Sequence, residues 1–227
     1  MVGNFSAEDS RGRQLIKGDW VKGGDTLHFY GLERRYSEDA IPIQPPDMIK
    51  IGIKDTTGKI YTSETSSDLD TYVYVDPVFG EMEYSLVFIN VTPESDESDD
   101  TKVKVFYTNG FLVQIDSDNP GIPGRIDVLP DDKNEKPRNY DNDRDVFIEW
   151  EDAIDQSSGV ALYYYSINKP KDRATEPVPM PKAAGSNVAE IKNLPQGVNR
   201  IYLWAEDLVG NQGNEIFVEI TIDLEGV

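Results

Sequence analysis

Three clusters of oxygen-bearing side chains are the places in this sequence where chemistry could be done. One is Asp116-Ser117-Asp118-Asn119, a second is Asp141-Asn142-Asp143-Arg144-Asp145, and the third is a pair far apart in sequence, Asp155 and Asp207. Calcium takes about 6–8 oxygen ligands from carboxylates, amides and backbone carbonyls, commonly in loops rich in Asp and Asn. Asp116, Asp118, Asn119, Asp155, Asp207, Asp141, Asp143 and Asp145 are therefore the candidate metal ligands, with calcium the candidate cofactor. None of the clusters follows the twelve-residue loop D-x-[DN]-x-[DN]-G closed by Glu, which excludes the helical calcium hand. The same residues have a second reading. Asp and Asn side chains bond nearby backbone groups and are favoured in turns for that reason alone.

Catalysis has little to stand on. There is one histidine, His28, and no cysteine, so histidine-based triads and thiolate nucleophiles have no material. A pair of carboxylates held roughly 5–10 Å apart could hydrolyse a glycoside, but among 42 Asp and Glu residues such pairs arise by chance. No enzyme is expected. Aromatic platforms are the remaining candidates: Tyr72 and Tyr74 share a strand face, and Tyr163-Tyr164-Tyr165 must turn at least one ring away from the core. Tyr72, Tyr74 and Tyr164 could stack on a sugar ring or meet a partner protein. They could equally cover an open sheet by cross-strand pairing.

The chain has 227 residues, 42 acidic against 22 basic, for a net charge of −20. Nucleic-acid binding depends on neutralising phosphates with Lys and Arg, so neither nucleic acid nor an anionic membrane is an expected partner. Zero cysteines excludes a disulfide framework. No apolar run approaches the ~18 residues of a membrane span, so no membrane insertion is expected. The opening MVGNFSAEDSRGR has no apolar signal core, which reads as an excised or mature fragment.

The elements that must position these residues are strands. Phe111–Pro130 marks a hinge: an alternating run ends in Asp116, Asp118 and Asn119, then Pro120, Pro123 and two glycines precede a new apolar run. The resulting division is residues 1–11 as a disordered or expression-derived segment, 12–115 as one β-sandwich, 116–119 as an acidic linker and 120–227 as a second sandwich. Met48–Asp55 alternates isoleucines with lysines, and Leu69–Pro77 alternates Tyr with Val. The first half holds about seven short strands at 8–12-residue spacing, which favours an antiparallel sandwich. In the second half Val146, Ile148 and Trp150 share an inward face, and Pro170–Pro181 is an edge or loop because proline cannot sit in a central strand. The run PESDESDD reads as a solvated hairpin tip.

GGDTLHFYG, IKIGIKDTTGKIYTSET and the Tyr-Val-Tyr-Val strand resemble the immunoglobulin-like repeats of prokaryotic surface and secreted proteins. In the second half Trp150, Asp155-x-x-Ser158-Gly159-Val160, Leu194-Pro195-x-Gly197 and Tyr202-x-x-Ala205-x-Asp207-x-x-Gly210-Asn211 resemble a fibronectin type III-like or bacterial immunoglobulin-like module. The long 129–145 loop departs from that pattern. The resemblance implies an all-β fold of two tandem immunoglobulin-like antiparallel β-sandwiches, extracellular or in the cell envelope. It implies non-catalytic work as a spacer or adhesion unit within a larger parent chain, whose other domains are expected partners. The alternative is an accessory, carbohydrate-binding region of a secreted polysaccharide-active enzyme.

In such a sandwich the loop after the second strand and the loop between the last two strands lie at one end, where the chain also enters. Asp155, Asp207 and Asp116–Asn119 would then converge, in an arrangement that resembles the acidic, calcium-stiffened linkers of cadherin repeats. Asp141–Asp145 would lie at the opposite end.

Overall fold

The computed structural model describes residues 6–30, 49–50, 52–54, 60–62, 71–75, 80–84, 87–90, 104–107, 111–130, 139–182 and 187–224. Side chains are described for residues 6–30 except Phe29, for Val75, and for 113–130, 139–182 and 187–224. The chain divides into two compact units, Met1–Ser117 and Asp118–Val227. Apart from one 3-10 turn, the regular secondary structure of the described residues is strand, and the fold is all-β.

The first unit contains β1 (Ser6–Glu8), β2 (Trp20–Lys22), β3 (Thr26–Tyr30), β4 (Ile49–Lys50), β5 (Gly52–Lys54) and β6 (Ile60–Thr62). It continues with β7 (Thr71–Tyr74), β8 (Gly80–Tyr84), β9 (Val87–Asn90), β10 (Lys104–Tyr107) and β11 (Phe111–Asp116). Three three-stranded sheets run β1-β3-β7, β2-β11-β8 and β10-β9-β4, with β5 and β6 forming a hairpin ladder. The pair β2 and β11 is parallel, Val21 facing Ile115 in register. Ala7, Val21, Leu27, Val75, Val113 and Ile115 are buried. These are the alternate positions of their strands, as half-buried pleated strands require.

Residues 6–11 do not form a disordered leader. Ser6–Glu8 pairs antiparallel with Tyr30–His28 and buries Ala7. Composition concealed this because only one residue of the strand faces the core. PESDESDD lies outside the described residues.

The second unit contains β12 (Ile126–Leu129), β13 (Tyr140–Asp141), β14 (Val146–Trp150) and β15 (Val160–Ile167). After a 3-10 turn at Lys171–Arg173 come β16 (Val178–Pro181), β17 (Asn187–Ile191), β18 (Gly197–Asp207) and β19 (Ile216–Ile222). One sheet is β12-β14-β17 and the other is β13-β19-β18-β15-β16. Between them lie Val128, Ile148, Trp150, Tyr163, Ile191, Ile201, Leu203 and Ile220, with the Trp150 and Tyr163 rings edge to face at 5.3 Å. Val146, Ile148 and Trp150 point inward and Phe147 outward, as the alternation predicts.

The long 129–145 connection has a structural reason. It carries the chain from one sheet to the other: β12 pairs with β14, while β13 pairs in parallel with β19. The proline-bearing β16 is an edge strand, with Pro179 and Pro181 opposite Tyr164 and Leu162. Prolines at alternate positions remove donors that a foreign strand would use.

Candidate functional site

The last two strands of the second unit meet in a tight turn built by Asp207. Its buried carboxylate accepts three backbone N–H groups on Oδ1, from Val209 at 2.9 Å, Gly210 at 2.7 Å and Asn211 at 2.8 Å. Its Oδ2 accepts the Asn211 side-chain amide at 2.8 Å. Gly210 sits at φ +92°, a left-handed conformation that favours glycine. The A-x-D-x-x-G-N pattern therefore has a local cause: one carboxylate organises four donors.

Asp155 does the same in the loop between β14 and β15. Its Oδ1 accepts from Ser157 N at 3.1 Å and Gly159 N at 2.7 Å. The two loops are joined by Leu208 N donating to Gly159 O at 3.0 Å, next to the Val160–Asp207 register. That junction places carboxylate oxygens of Asp155 and Asp207 within 4.8 Å of one another. Two full negative charges at that separation repel by on the order of 3 kcal/mol at an effective dielectric of about 20. Such a pair, with one member half-exposed, is suited to share a hard cation.

The other predicted ligands are placed as follows. Asp116 ends β11, is buried, and its carbonyl accepts from Gly23 N at 2.8 Å in the first unit. Asp118 and Asn119 are exposed. In the 141–145 cluster, Asp141 Oδ1 accepts Asp143 N at 3.0 Å, Asp143 Oδ1 accepts Asp145 N at 3.2 Å, and Asp145 Oδ1 accepts Asn193 N at 2.9 Å. Asp141 pairs with Ile222, which faces Gly197 at the start of β18. Asp207 ends that eleven-residue strand, roughly 30 Å away at strand rise. Asp141 and Asp143 thus shape their own turn at the far end of the unit, and Asp145 ties that turn to the loop between β17 and β18.

The tyrosines divide. Tyr163 is the core member of the triple, and Tyr164 is half-buried with its ring stacked on Trp204 at 5.8 Å. Tyr164 thus covers sheet surface through a cross-strand aromatic pair. Tyr72 and Tyr74 lie in β7, and their side chains fall outside the described residues. The Nδ1 of His28 is 3.0 Å from Glu8 Oε1 and its ring 4.9 Å from that of Tyr30.

One feature of the turn escaped the reading of the sequence. Ala205-Glu206-Asp207-x-x-Gly210-x-Gln212 has a counterpart in Ala7-Glu8-Asp9-x-x-Gly12-x-Gln14. The geometry recurs as well. Asp9 Oδ1 accepts from Arg11 N at 3.0 Å and Arg13 N at 2.9 Å, Gly12 is at φ +75°, and Glu8 and Gln14 form a bridge like that of Glu206 and Gln212. The two turns differ where charge is concerned. In the first, Arg13 Nε lies 3.0 Å from Asp9 Oδ2; at the matching place in the second stands neutral Asn211. Burial pushes the Asp9 carboxyl up, but the Arg13 and Arg11 backbone N–H groups and the Arg13 guanidinium outweigh it and hold the group below the usual carboxylate range.

Among the described residues no helix is long and apolar enough to cross a membrane. No protein-family model matches the chain, and no curated protein does. Solved structures do. Fibronectin(III)-like modules of Clostridium thermocellum CbhA align over 96% of this chain and 94% of theirs at 12% identity and a TM-score of 0.48. The FN1–FN3 domains of chicken CNTN1 align over 91% of this chain at 11% identity and a TM-score of 0.50. This chain spans 63% of that contactin fragment. The fold is that of fibronectin type III-like β-sandwich modules.

Proposed function

We propose that this chain is a non-catalytic, extracellular or cell-envelope spacer or adhesion module, stiffened by calcium where the chain enters its second unit. Asp155 and Asp207 supply two carboxylates of the site. The observation that carries the reading is the approach of Asp155 and Asp207 to within 4.8 Å in a turn whose own residues bring no positive charge. The Asp9 turn supports it by contrast, since there an arginine lies against the equivalent carboxylate. The incoming chain supports a site at the entry to the second unit, since Gly121 N donates to Ile154 O at 2.9 Å, beside Asp155.

Calorimetric titration tests the proposal. Calcium binds the wild-type chain at one site, and Asp155→Asn, which keeps an oxygen for the Ser157 and Gly159 amides but removes the charge, weakens binding at least tenfold. Unaltered affinity in Asp155→Asn sinks the ligand assignment, and heat-silent titration of wild type with no change in its melting sinks the calcium reading altogether.

A further inference from the structure

We propose that Lys171 is a bolt that holds the seat of the incoming chain in the second unit, by a route that needs no metal. The connection between β15 and β16 carries the short 3-10 turn Lys171–Arg173, which packs on β18. The Lys171 ammonium does not project into solvent. It donates to the carbonyls of Gly213 at 2.6 Å and Gln212 at 3.2 Å, in the turn between β18 and β19. Its backbone N–H donates to the Glu215 carboxylate, so the same residue is held at both ends. Burial pulls its pKa below the ordinary lysine range while Glu215 pulls it back up. A partly desolvated ammonium satisfied by two backbone carbonyls is a positional constraint on those carbonyls.

What those carbonyls position is the incoming segment. A Cβ at Gly213 would stand 2.4 Å from Pro120 O and 3.1 Å from Gly121 O, so the Gly213 backbone lies directly against Pro120 and Gly121. On the other side Gly121 N donates to Ile154 O at 2.9 Å and Gly124 N to Glu151 O at 3.0 Å. The segment is therefore gripped between the loop after β14 and the Gly213 backbone, and Lys171 fixes the Gly213 side of the grip from the outside. No acidic side chain of the candidate calcium site takes part. Losing the bolt loosens the seat while the sandwich core stands.

The test is amide hydrogen exchange of the full chain, by NMR, in excess chelator, comparing wild type with Lys171→Met and Glu215→Ala. The expected result is faster exchange at Gly121 and Gly124, by about tenfold in Lys171→Met for the loss of a charged hydrogen bond, with Ile148 and Ile201 unchanged. Glu215→Ala moves the same two amides in the same direction, and carries the test if Lys171→Met fails to fold. Unchanged exchange at Gly121 overturns the proposal, and so does a rise shared equally by the core amides, which would mark Lys171 as a general stabiliser. Because chelator is present throughout, either result leaves the calcium reading where it stood.

Discussion

Removing one oxygen from the core of the second unit should cost more than its size suggests. Tyr163 is fully buried, and its hydroxyl does two things: it accepts the backbone N–H of Ala153 at 2.9 Å and donates to Asp152 Oδ1 at 2.9 Å. Tyr163→Phe keeps the ring, its packing on Trp150 and nearly all of the buried apolar area. What it leaves is a buried Ala153 N–H without its acceptor, a loss of about 1–3 kcal/mol. Asp152 suffers less, since the Asn187 amide still donates to it at 2.7 Å. For a unit of this size each kcal/mol moves the melting midpoint by roughly 4–8 °C, so a drop on the order of 10 °C is expected at pH 7.

The pH dependence sharpens this test. Burial, the largest cause, together with the Asp152 carboxylate pushes the Tyr163 hydroxyl up to about 12, against the opposing Ala153 N–H bond. A folded pKa above the unfolded value of about 10 means stability that is whole below pH 10 and lost as pH rises toward 12. Denaturant melts followed by circular dichroism at pH 7 and pH 11 should show the two proteins converging at the higher pH. A destabilisation below about 0.5 kcal/mol at pH 7, or parallel curves up to pH 11, would show that the hydroxyl does not hold the Ala153 N–H in this way.

Two further expectations follow from hydrogen-bonded carboxylates. Asp152 is held below the usual carboxylate range first by the Asn187 amide, against the opposing effect of burial, with Tyr163 and Lys182 adding to the lowering. Its contribution is present above the unfolded pKa and fades as pH falls through the folded one. Asp152→Asn should therefore flatten the acid limb of stability below about pH 4, and an unchanged slope would contradict it. Arg13→Met removes the guanidinium from Asp9, which is 4% exposed. Arg13 itself is 34% exposed, so solvent screens the pair, and a loss of about 1–2 kcal/mol is expected rather than the larger cost of breaking a fully buried pair. Urea melts that leave the midpoint unmoved would show that the turn does not need its arginine.

The legible parts of this sequence were those written as alternation. Val146, Ile148 and Trp150 show their inward face at a glance, because every second residue is apolar and the strand is buried on that side. Two-residue elements leave no such trace: Tyr140–Asp141 lies at the edge of the second sheet, and only its tertiary pairing with β19 reveals it. Ser6–Glu8 is nearly as short and buries one small alanine. The recurrence of Ala-Glu-Asp-x-x-Gly-x-Gln at residues 7 and 205 was present in the letters, but eight residues of weak identity gain meaning only when both fold into the same capped turn. Tyr164 illustrates a different limit. Alternation places it outside the core, but that its ring lies on Trp204 depends on the neighbouring strand. Acidic residues are the least legible of all, since Asp141, Asp143 and Asp145 have the composition of ligands and the geometry of turn-formers.

A cation that joins the carboxylates of Asp155 and Asp207 must show itself in thermal unfolding of the whole chain, compared in calcium and in chelator. A ligand at 100 times its dissociation constant adds about 2.7 kcal/mol, which for a unit of this size raises the midpoint by roughly 10 °C or more. That rise is expected with calcium and a clearly smaller one with magnesium, whose small octahedral shell dehydrates reluctantly. Coincident unfolding curves in calcium and in chelator would contradict it, and would leave Asp155 and Asp207 as the builders of two turns.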